Sequence, residues 1–372
     1  MTRPAAPKTT TPPSPAGRER LGVLVPSGTD LVDELSALRL LVELGELDTR
    51  LVLSPHLTIE DRSRRSRCLI VRADGRGWVL KQGTTADTAG AVRHEIQVYR
   101  ALARGTTRLP VPRLVHANPR RSLLVVAHLD GLPLWEAEHR LGGSDDTHPR
   151  LAGALGSVLA RTHRWHDPAL LPPQPAPPVL TVFRPGLDSV GYRSSASLAL
   201  TGLLQEHPAL CDALAALSRD WRPSALTHND LRSDNLVVDP DDGTVHLIDW
   251  ELGGRGDPYW DLAGPLAERL CWWLTDGELW VPGAEAVTTL TPVRRFTAAY
   301  LGTYRSHRRE DIDPLVLVRW CAARLVQAAF ETVQQSAFVT AAARQLLQLA
   351  ANTFARPAAA AHCLLGLAPE GR

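Results

Sequence analysis

A short part of the chain carries polar side chains at spacings that suit phosphoryl transfer. Asp230 and Asn235 lie five residues apart, and Asp249 follows Asn235 by fourteen residues at the end of an apolar stretch. Phosphoryl transfer needs a carboxylate that orients the incoming hydroxyl and accepts its proton, and it needs oxygen ligands that hold magnesium against a triphosphate. The sequence therefore predicts Asp230 as the catalytic base and both Asn235 and Asp249 as metal ligands.

Two neighbours of the predicted base belong to the same catalytic set. Arg232 has a charge that would either stabilise the transferring group or anchor the loop. His228 is expected to order the loop by hydrogen bonding rather than to transfer a proton. Asp and Asn are common turn formers, so the prediction depends on the spacing of the whole set rather than on any single member.

Positive charge in this chain is almost entirely arginine. The 41 basic residues include two lysines, Lys8 and Lys81, and only Lys81 falls in a region with the pattern of a folded domain. An ammonium and a guanidinium are not interchangeable at a phosphate site. We therefore predict that Lys81 contacts the α- and β-phosphates of a nucleotide. Glu95, fourteen residues later, would form the ion pair that positions Lys81.

Periodicity and turn residues indicate strands first and helices later. Asp74 and Gly75 predict a hairpin turn, after which a strand over 78–82 would carry Lys81. Apolar spacing over 89–103 predicts the helix that carries Glu95. Further strands are predicted over 51–59, 68–72, 113–117 and 122–128. A small hairpin over 236–238 and 245–248 would lie between the two predicted metal ligands.

The predicted fold class is α+β with two lobes, a small antiparallel-sheet N-lobe and a larger helical C-lobe. Residues 1–20 are rich in Pro, Thr and Ala and are predicted to form a disordered tail. Residues 21–126 would form the N-lobe, extended by a helix that begins at Thr29 or Asp30 and ends near Gly45. Residues 127–372 would form the C-lobe with the catalytic loop and the acceptor site.

About half of the chain, from Lys81 to Ala263, resembles the aminoglycoside phosphotransferase and choline kinase branch of kinase-like proteins. Three segments in the C-lobe carry the resemblance: His228-Asn229-Asp230 through Asn235, Ile248-Asp249-Trp250, and Gly256-Asp257-Pro258-Tyr259-Trp260-Asp261-Leu262-Ala263. The resemblance implies a protein-kinase-like fold and a kinase that uses Mg²⁺ and ATP, with GTP also open. It further implies that Asp261 buttresses the catalytic loop.

The resemblance also implies where the nucleotide binds. Residues 123–134 resemble the last N-lobe strand and the hinge, so backbone groups near Val126 to His128 are expected to meet the adenine. The loop over 60–67 departs from expectation because it contains no glycine, although close backbone approach to phosphates usually uses glycine. Its four arginines either bring side-chain charge to the phosphates or form an ordinary exposed basic loop: Arg62, Arg64, Arg65 and Arg67.

The acceptor is the least defined part of the prediction. The family builds its acceptor site from the C-lobe, here roughly 180–225 and 265–372. Acidic residues in this region are balanced by arginines, so a strongly cationic acceptor is not favoured: they include Asp276, Glu278, Glu285, Glu310, Asp311 and Asp313. Four tryptophans there offer stacking surface, although core packing is their commoner use: Trp272, Trp273, Trp280 and Trp320.

Three functions stay open at this point. The first is a kinase that phosphorylates a hydroxyl of a small molecule or antibiotic-like metabolite. The second is a kinase acting on Ser or Thr of a ribosomally made precursor peptide, as in lanthipeptide or thioamitide tailoring, with a partner protein. The third is a pseudokinase that binds nucleotide as a partner protein. The absence of loop glycines favours the third, and the presence of a base argues against it.

Composition excludes several other classes of protein. The formal net charge is +1, so no overall field attracts nucleic acid or a membrane surface. No apolar run approaches the roughly 18 residues of a membrane span, and the N-terminus lacks the apolar core of a secretory signal. Five scattered cysteines suggest neither a zinc site nor a disulfide framework. We therefore expect a cytoplasmic protein that binds neither nucleic acid nor membrane.

Overall fold

An antiparallel sheet of five strands forms the first part of the computed structural model. The model describes residues 31–141, 147–167, 171–186, 194–275, 290–308, 311–334 and 336–368. The tail predicted over residues 1–20 lies outside these ranges. The strand order is β1-β2-β3-β5-β4. The strands are β1 (Thr58–Asp61), β2 (Arg67–Ala73), β3 (Arg76–Gln82), β4 (Leu114–Asn118) and β5 (Leu123–Ala127).

The predicted hairpin turn joins β2 to β3. Asp74 and Gly75 have φ angles of 50° and 69°, which is the left-handed conformation that a tight two-residue hairpin loop requires. The register places Cys68 of β2 opposite Lys81 of β3. Lys81 therefore lies on an inner strand of the sheet, as its predicted position requires.

Helices cover the two faces of this sheet. Helix α1 (Glu34–Glu43) buries Ala37 and Leu41 against one face, and helix α2 (Ala86–Arg104) packs against the other. Thr29 and Asp30, where this helix was predicted to begin, lie outside the described residues. The described helix begins at Glu34, because the Asp33 carboxylate accepts the N–H of Ser36 and caps it there.

The strand predicted over 51–59 is wrong for residues 51–57. Residues Thr49–Leu53 form a 3₁₀ helix, and strand pairing begins only at Thr58. The Asp48 carboxylate accepts the N–H of Arg50 and starts the short helix. A brief apolar run is compatible with either structure, and here the local cap decides for the helix.

The second part of the described chain is mainly helical. Its helices are α3 (Leu134–Leu141), α4 (Thr147–His163), α5 (Ser195–Gln205), α6 (Pro208–Asp220), α7 (Pro258–Thr275), α8 (Thr291–Arg308), α9 (Pro314–Glu331), α10 (Ala341–Ala355) and α11 (Pro357–Leu365). The main packed pairs are α4 with α8, α7 with α9, and α9 with α10. This arrangement confirms the predicted α+β class, with a small sheet lobe followed by a larger helical lobe. Among the described residues, no helix combines the length and the apolarity that crossing a membrane would require.

Two small sheets hold the segment that contains the predicted chemistry. Strands β6 (Leu132–Pro133), β8 (Leu236–Val238) and β9 (Val245–Leu247) form one, and β7 (Ala225–Thr227) pairs with β10 (Gly254–Gly256) in the other. The predicted catalytic loop is the connection from β7 to β8. The predicted metal ligand Asp249 follows β9 by two residues.

Candidate active site

The catalytic loop brings Asp230 and Asn235 into direct contact. The side-chain Nδ2 of Asn235 donates to the backbone oxygen of Asp230 at 2.8 Å and to its carboxylate Oδ2 at 3.1 Å. Both hydrogen bonds use the amide nitrogen, so the side-chain oxygen of Asn235 takes no part in them. The loop thus places the Asp230 carboxylate, held by a hydrogen bond, beside an amide whose oxygen can act as a metal ligand.

Asp261, at the start of α7, holds the catalytic loop through its backbone. Its two carboxylate oxygens accept the N–H of His228 at 2.7 Å and the N–H of Asn229 at 2.8 Å. Nε2 of His163 lies 3.3 Å from the same carboxylate. Burial disfavours the charged form of Asp261, yet these donors, His163 first, hold its pKa below the ordinary value. A buried carboxylate therefore fixes the two residues that precede Asp230.

The imidazole of His228 is buried and both of its nitrogens are engaged. Nε2 donates to the backbone oxygen of Ile248 at 2.7 Å, which leaves Nδ1 to accept the N–H of Asp230 at 3.3 Å. The ring also packs on Trp250, with centroids 4.8 Å apart. His228 thus connects the loop of the predicted base to the residue before Asp249, an arrangement that orders the loop.

Asp249 forms an ion pair with Lys81 of the five-stranded sheet. The Nζ atom of Lys81 lies 2.5 Å from Oδ1 of Asp249, 2.9 Å from Oε2 of Glu95 and 3.0 Å from Oε2 of Glu251. Asp249 adopts the left-handed conformation, with φ of 62°, which Asp tolerates better than most residues. Three carboxylates, contributed by α2 and by the segment after β9, therefore surround one ammonium.

Burial perturbs both members of the Lys81 and Glu95 pair. Their side chains are 16% and 4% exposed. Burial raises the pKa of Glu95 to about 7, although the neighbouring Lys81 opposes the change. Burial also opposes the charged form of Lys81, yet Glu95 and the two other carboxylates raise the pKa of Lys81 well above its ordinary value. Lys81 therefore stays charged across the neutral range.

Arg232 lies beside the predicted base but does not form a tight pair with it. Its Nε atom is 3.7 Å from Oδ2 of Asp230, and its side chain is half exposed. Ser233, the next residue, is held instead by Glu268, which accepts from its hydroxyl at 2.7 Å. Arg232 is thus close enough to interact with charge near Asp230 while keeping freedom to turn toward a ligand.

The hinge residues extend the sheet pairing. Val126 pairs with Val79 of β3, and the N–H of His128 donates to the oxygen of Gly77 at 2.8 Å. Burial and the adjacent Arg72 lower the pKa of the His128 imidazole. Because the N–H of His128 donates to Gly77, it already has a partner within the sheet. Contact between the adenine and the backbone near Val126 and His128 stays a prediction.

Several contacts of the site were missed by sequence reasoning. Glu251 approaches Lys81, and its only signal was its position two residues after Asp249. Arg324 of α9 donates to the oxygen of Leu231 at 3.2 Å and stacks on Trp260 at 4.3 Å. No local pattern marked Arg324, because its contact depends on the packing of α7 against α9.

The acceptor region is described only in part. Asp276, Glu278, Trp280, Glu285 and Glu310 lie outside the described residues. Asp313 accepts the N–H of Leu315 at 2.8 Å and caps α9. Trp320 is buried and packs edge-on to Trp260 at 6.0 Å. These described members of the predicted acceptor set therefore serve a helix end and the core.

Comparison with known proteins places this geometry in a family. Residues 59–308, more than half of the chain, match the Phosphotransferase enzyme family. The chain belongs to this family, which confirms the predicted resemblance to phosphotransferases. A curated relative, mouse Acyl-CoA dehydrogenase family member 10, is 25% identical over 229 residues. That match spans 55% of this chain but only 19% of the relative.

Solved structures show the same fold. An ethanolamine kinase from Plasmodium vivax aligns with a TM-score of 0.52 at 13% identity, covering 87% of this chain and 89% of that chain. The streptomycin–ATP–APH(2")-IIa ternary complex aligns with a TM-score of 0.52 at 15% identity, covering 83% and 98%. A thermostable mutant of aminoglycoside phosphotransferase APH(4)-Ia, in its apo form, gives 0.51 at 17% identity, covering 86% and 97%. The protein-kinase-like fold is thereby confirmed.

Proposed function

We propose that this chain is a magnesium-dependent kinase that transfers the γ-phosphate of ATP or GTP to a hydroxyl of a small molecule or antibiotic-like metabolite. One observation carries the proposal. Lys81 is paired with Glu95 at 2.9 Å and simultaneously lies 2.5 Å from Asp249. These contacts support the proposed roles of Lys81 at the α- and β-phosphates and of Asp249 as a metal ligand, since phosphoryl transfer needs both groups close together.

The residues present fit a magnesium ion. Asn235 offers a side-chain oxygen that its bonds to Asp230 leave unused, and Asp249 offers a partly exposed carboxylate. Oxygen ligands of this kind suit Mg²⁺, which usually takes its remaining ligands from water and substrate phosphates. When bound, magnesium would neutralise charge on the phosphate chain.

The catalytic loop would supply the remaining chemistry. Asp230 would orient the acceptor hydroxyl and take the proton of that hydroxyl. Asn235 holds the Asp230 carboxylate in place by donating to one of its oxygens. Arg232, half exposed beside Asp230, turns toward the transferring group and stabilises its charge. His228 keeps the loop ordered through Ile248 and Asp230.

The comparisons support a small molecule that carries a hydroxyl group as the acceptor, without identifying it. The fold neighbours include an ethanolamine kinase and a complex that holds streptomycin together with ATP. Ethanolamine and streptomycin are both small molecules that carry hydroxyl groups, and these neighbours give no support to a peptide acceptor or a partner protein. A cytoplasmic location belongs to the same proposal.

Mass spectrometry after incubation with nucleotide and acceptors tests the proposal. Purified protein would be mixed with magnesium, ATP or GTP, and a panel of hydroxylated antibiotics, metabolites and Ser/Thr-rich precursor peptides. Phosphoryl addition to a small molecule that is lost in Asp230→Asn is the expected result. Addition to a peptide would redirect the acceptor class. Nucleotide binding without transfer to any acceptor would favour a pseudokinase, and no nucleotide binding would overturn the proposal.

A further inference from the structure

In the loop between β1 and β2 (residues 62–66), several backbone N–H groups already form hydrogen bonds within the lobe. Three consecutive N–H groups donate internally: Arg62 to the oxygen of Cys68 (2.9 Å), Ser63 to Oδ1 of Asp61 (2.8 Å) and Arg64 to the oxygen of Ser66 (3.3 Å). Loops that bind phosphate through their backbone need free N–H groups and close approach. This loop lacks glycine and uses three of the five N–H groups of residues 62–66 internally, so its side chains are the larger source of donors for a phosphate.

The four arginines of residues 60–67, three in this loop and Arg67 at the start of β2, divide into two pairs. Arg62 and Arg67 each form an ion pair with a carboxylate of β1, at N–O distances of 2.6 Å and 2.5 Å. Arg64 and Arg65 are exposed, and no carboxylate of the described residues lies within ion-pair distance of either. Two positive charges are therefore neutralised locally, and two are available to an anion.

The hairpin geometry puts this loop next to Lys81. The loop leads directly into β2, where Cys68 lies opposite Lys81 in the sheet register. Beyond β3, the hydroxyl of Thr84 donates to the backbone oxygen of Arg65 at 3.2 Å. This bond holds the loop against the end of the strand that carries Lys81.

The surroundings of Lys81 carry more negative than positive charge. One ammonium faces the carboxylates of Glu95, Asp249 and Glu251, and a nucleotide triphosphate is itself strongly anionic. Magnesium, when bound, would offset part of this charge. Further protein cations would favour nucleotide binding, and a guanidinium presents N–H donors that match phosphate oxygens in pairs.

We propose that Arg64 and Arg65 bind the phosphate chain of the nucleotide through their side chains, in place of the backbone contacts of a glycine-rich loop. The inference rests on the proposed function, because it requires a nucleotide beside Lys81. Together with Lys81, these two arginines would favour a triphosphate over a monophosphate. Arg62 and Arg67 are instead already paired with carboxylates of β1.

Calorimetric titration with three nucleotides tests the assignment. The full chain, the double variant Arg64→Ala/Arg65→Ala and the control Arg62→Ala would be titrated with a non-hydrolysable ATP analogue, ADP and AMP in the presence of magnesium. Losing charge-assisted hydrogen bonds should weaken binding of the triphosphate analogue about tenfold or more in the double variant. AMP affinity should stay unchanged, and the control, whose arginine is exposed and already paired, should differ by about twofold at most. The double variant Arg64→Lys/Arg65→Lys should recover part of the loss.

The alternative outcomes separate this inference from the proposed function. Unchanged affinity for the triphosphate analogue in the double alanine variant would overturn the inference and leave the proposed function intact. An equal loss of AMP affinity would also overturn it, because the arginines would then act on the lobe rather than on phosphates. If the unaltered chain bound no nucleotide, the proposed function would fail and the inference with it.

Discussion

The ammonium of Lys81 lies 2.5 Å from the carboxylate of Asp249, although the two residues are 168 positions apart in the chain. The contact joins the five-stranded sheet to the segment that follows β9. It also means that the proposed phosphate-binding lysine and the proposed metal ligand share one cluster of charges. A change in either residue should therefore affect the other.

Lys81→Arg should reduce kcat/KM for the nucleotide by about 100-fold or more. Three carboxylate oxygens approach one ammonium nitrogen at 2.5 to 3.0 Å, and a planar guanidinium cannot reproduce those contacts from the same strand position. Steady-state kinetics against nucleotide concentration measure the effect. Full activity in this variant would show that any positive charge suffices.

Lys81→Ala provides the comparison for stability. It leaves the carboxylate of Glu95, which is 4% exposed, without its cation, and losing one partner of a buried pair destabilises by roughly 3 kcal/mol. Denaturant unfolding above pH 7, where Glu95 is ionised in the unaltered chain, should therefore show a loss for Lys81→Ala that is largely absent in the double variant Lys81→Ala/Glu95→Ala. Additive losses would contradict the pairing.

Stability should depend on the protonation of Glu95. Burial raises the pKa of its carboxyl from 4.5 to about 7, so between these values the folded chain holds a proton that the unfolded chain has released. The contribution of Glu95 is thus complete below its unfolded pKa and is lost as pH rises through about 7. Free energies of unfolding measured across this range should fall more steeply in the unaltered chain than in Glu95→Gln. Parallel profiles would contradict the shift.

Local spacing predicted the contacts that are formed locally. Asp230 and Asn235 belong to one short loop, so their contact follows from five residues of chain, and the hairpin turn at Asp74 and Gly75 places Lys81 on an inner strand. Arg324 under the catalytic loop required the packing of α7 on α9, which no single segment encodes. The helix at Thr49–Leu53 was missed for the opposite reason, because a local cap overrode an apolar run.

Asp249→Asn should raise the magnesium concentration needed for half-maximal activity about tenfold or more, since an amide replaces a charged ligand. Glu251→Gln is the matched control: Glu251 also contacts Lys81, at 3.0 Å, but has no proposed role as a ligand. Magnesium titrations of both variants at saturating nucleotide distinguish the two effects. Equal shifts would attribute the change to Lys81 rather than to the metal.

Asp261→Asn and Asp257→Asn should separate support of the catalytic loop from general stability. Each carboxylate is buried and accepts two backbone N–H groups: Asp261 from His228 and Asn229, and Asp257 from Arg222 and Tyr259. An asparagine turns its NH₂ toward one of those donors, which should destabilise either variant by about 1–3 kcal/mol.

Only Asp261→Asn should also lower kcat, because its donors immediately precede the proposed base Asp230. The nucleotide KM should stay constant in both variants, since neither aspartate lies in the cluster around Lys81. Thermal unfolding followed by kinetics at a temperature where both variants are folded provides the measurement. If kcat fell equally in both, Asp261 would contribute to folding alone, and the loop would not depend on it for the position of Asp230.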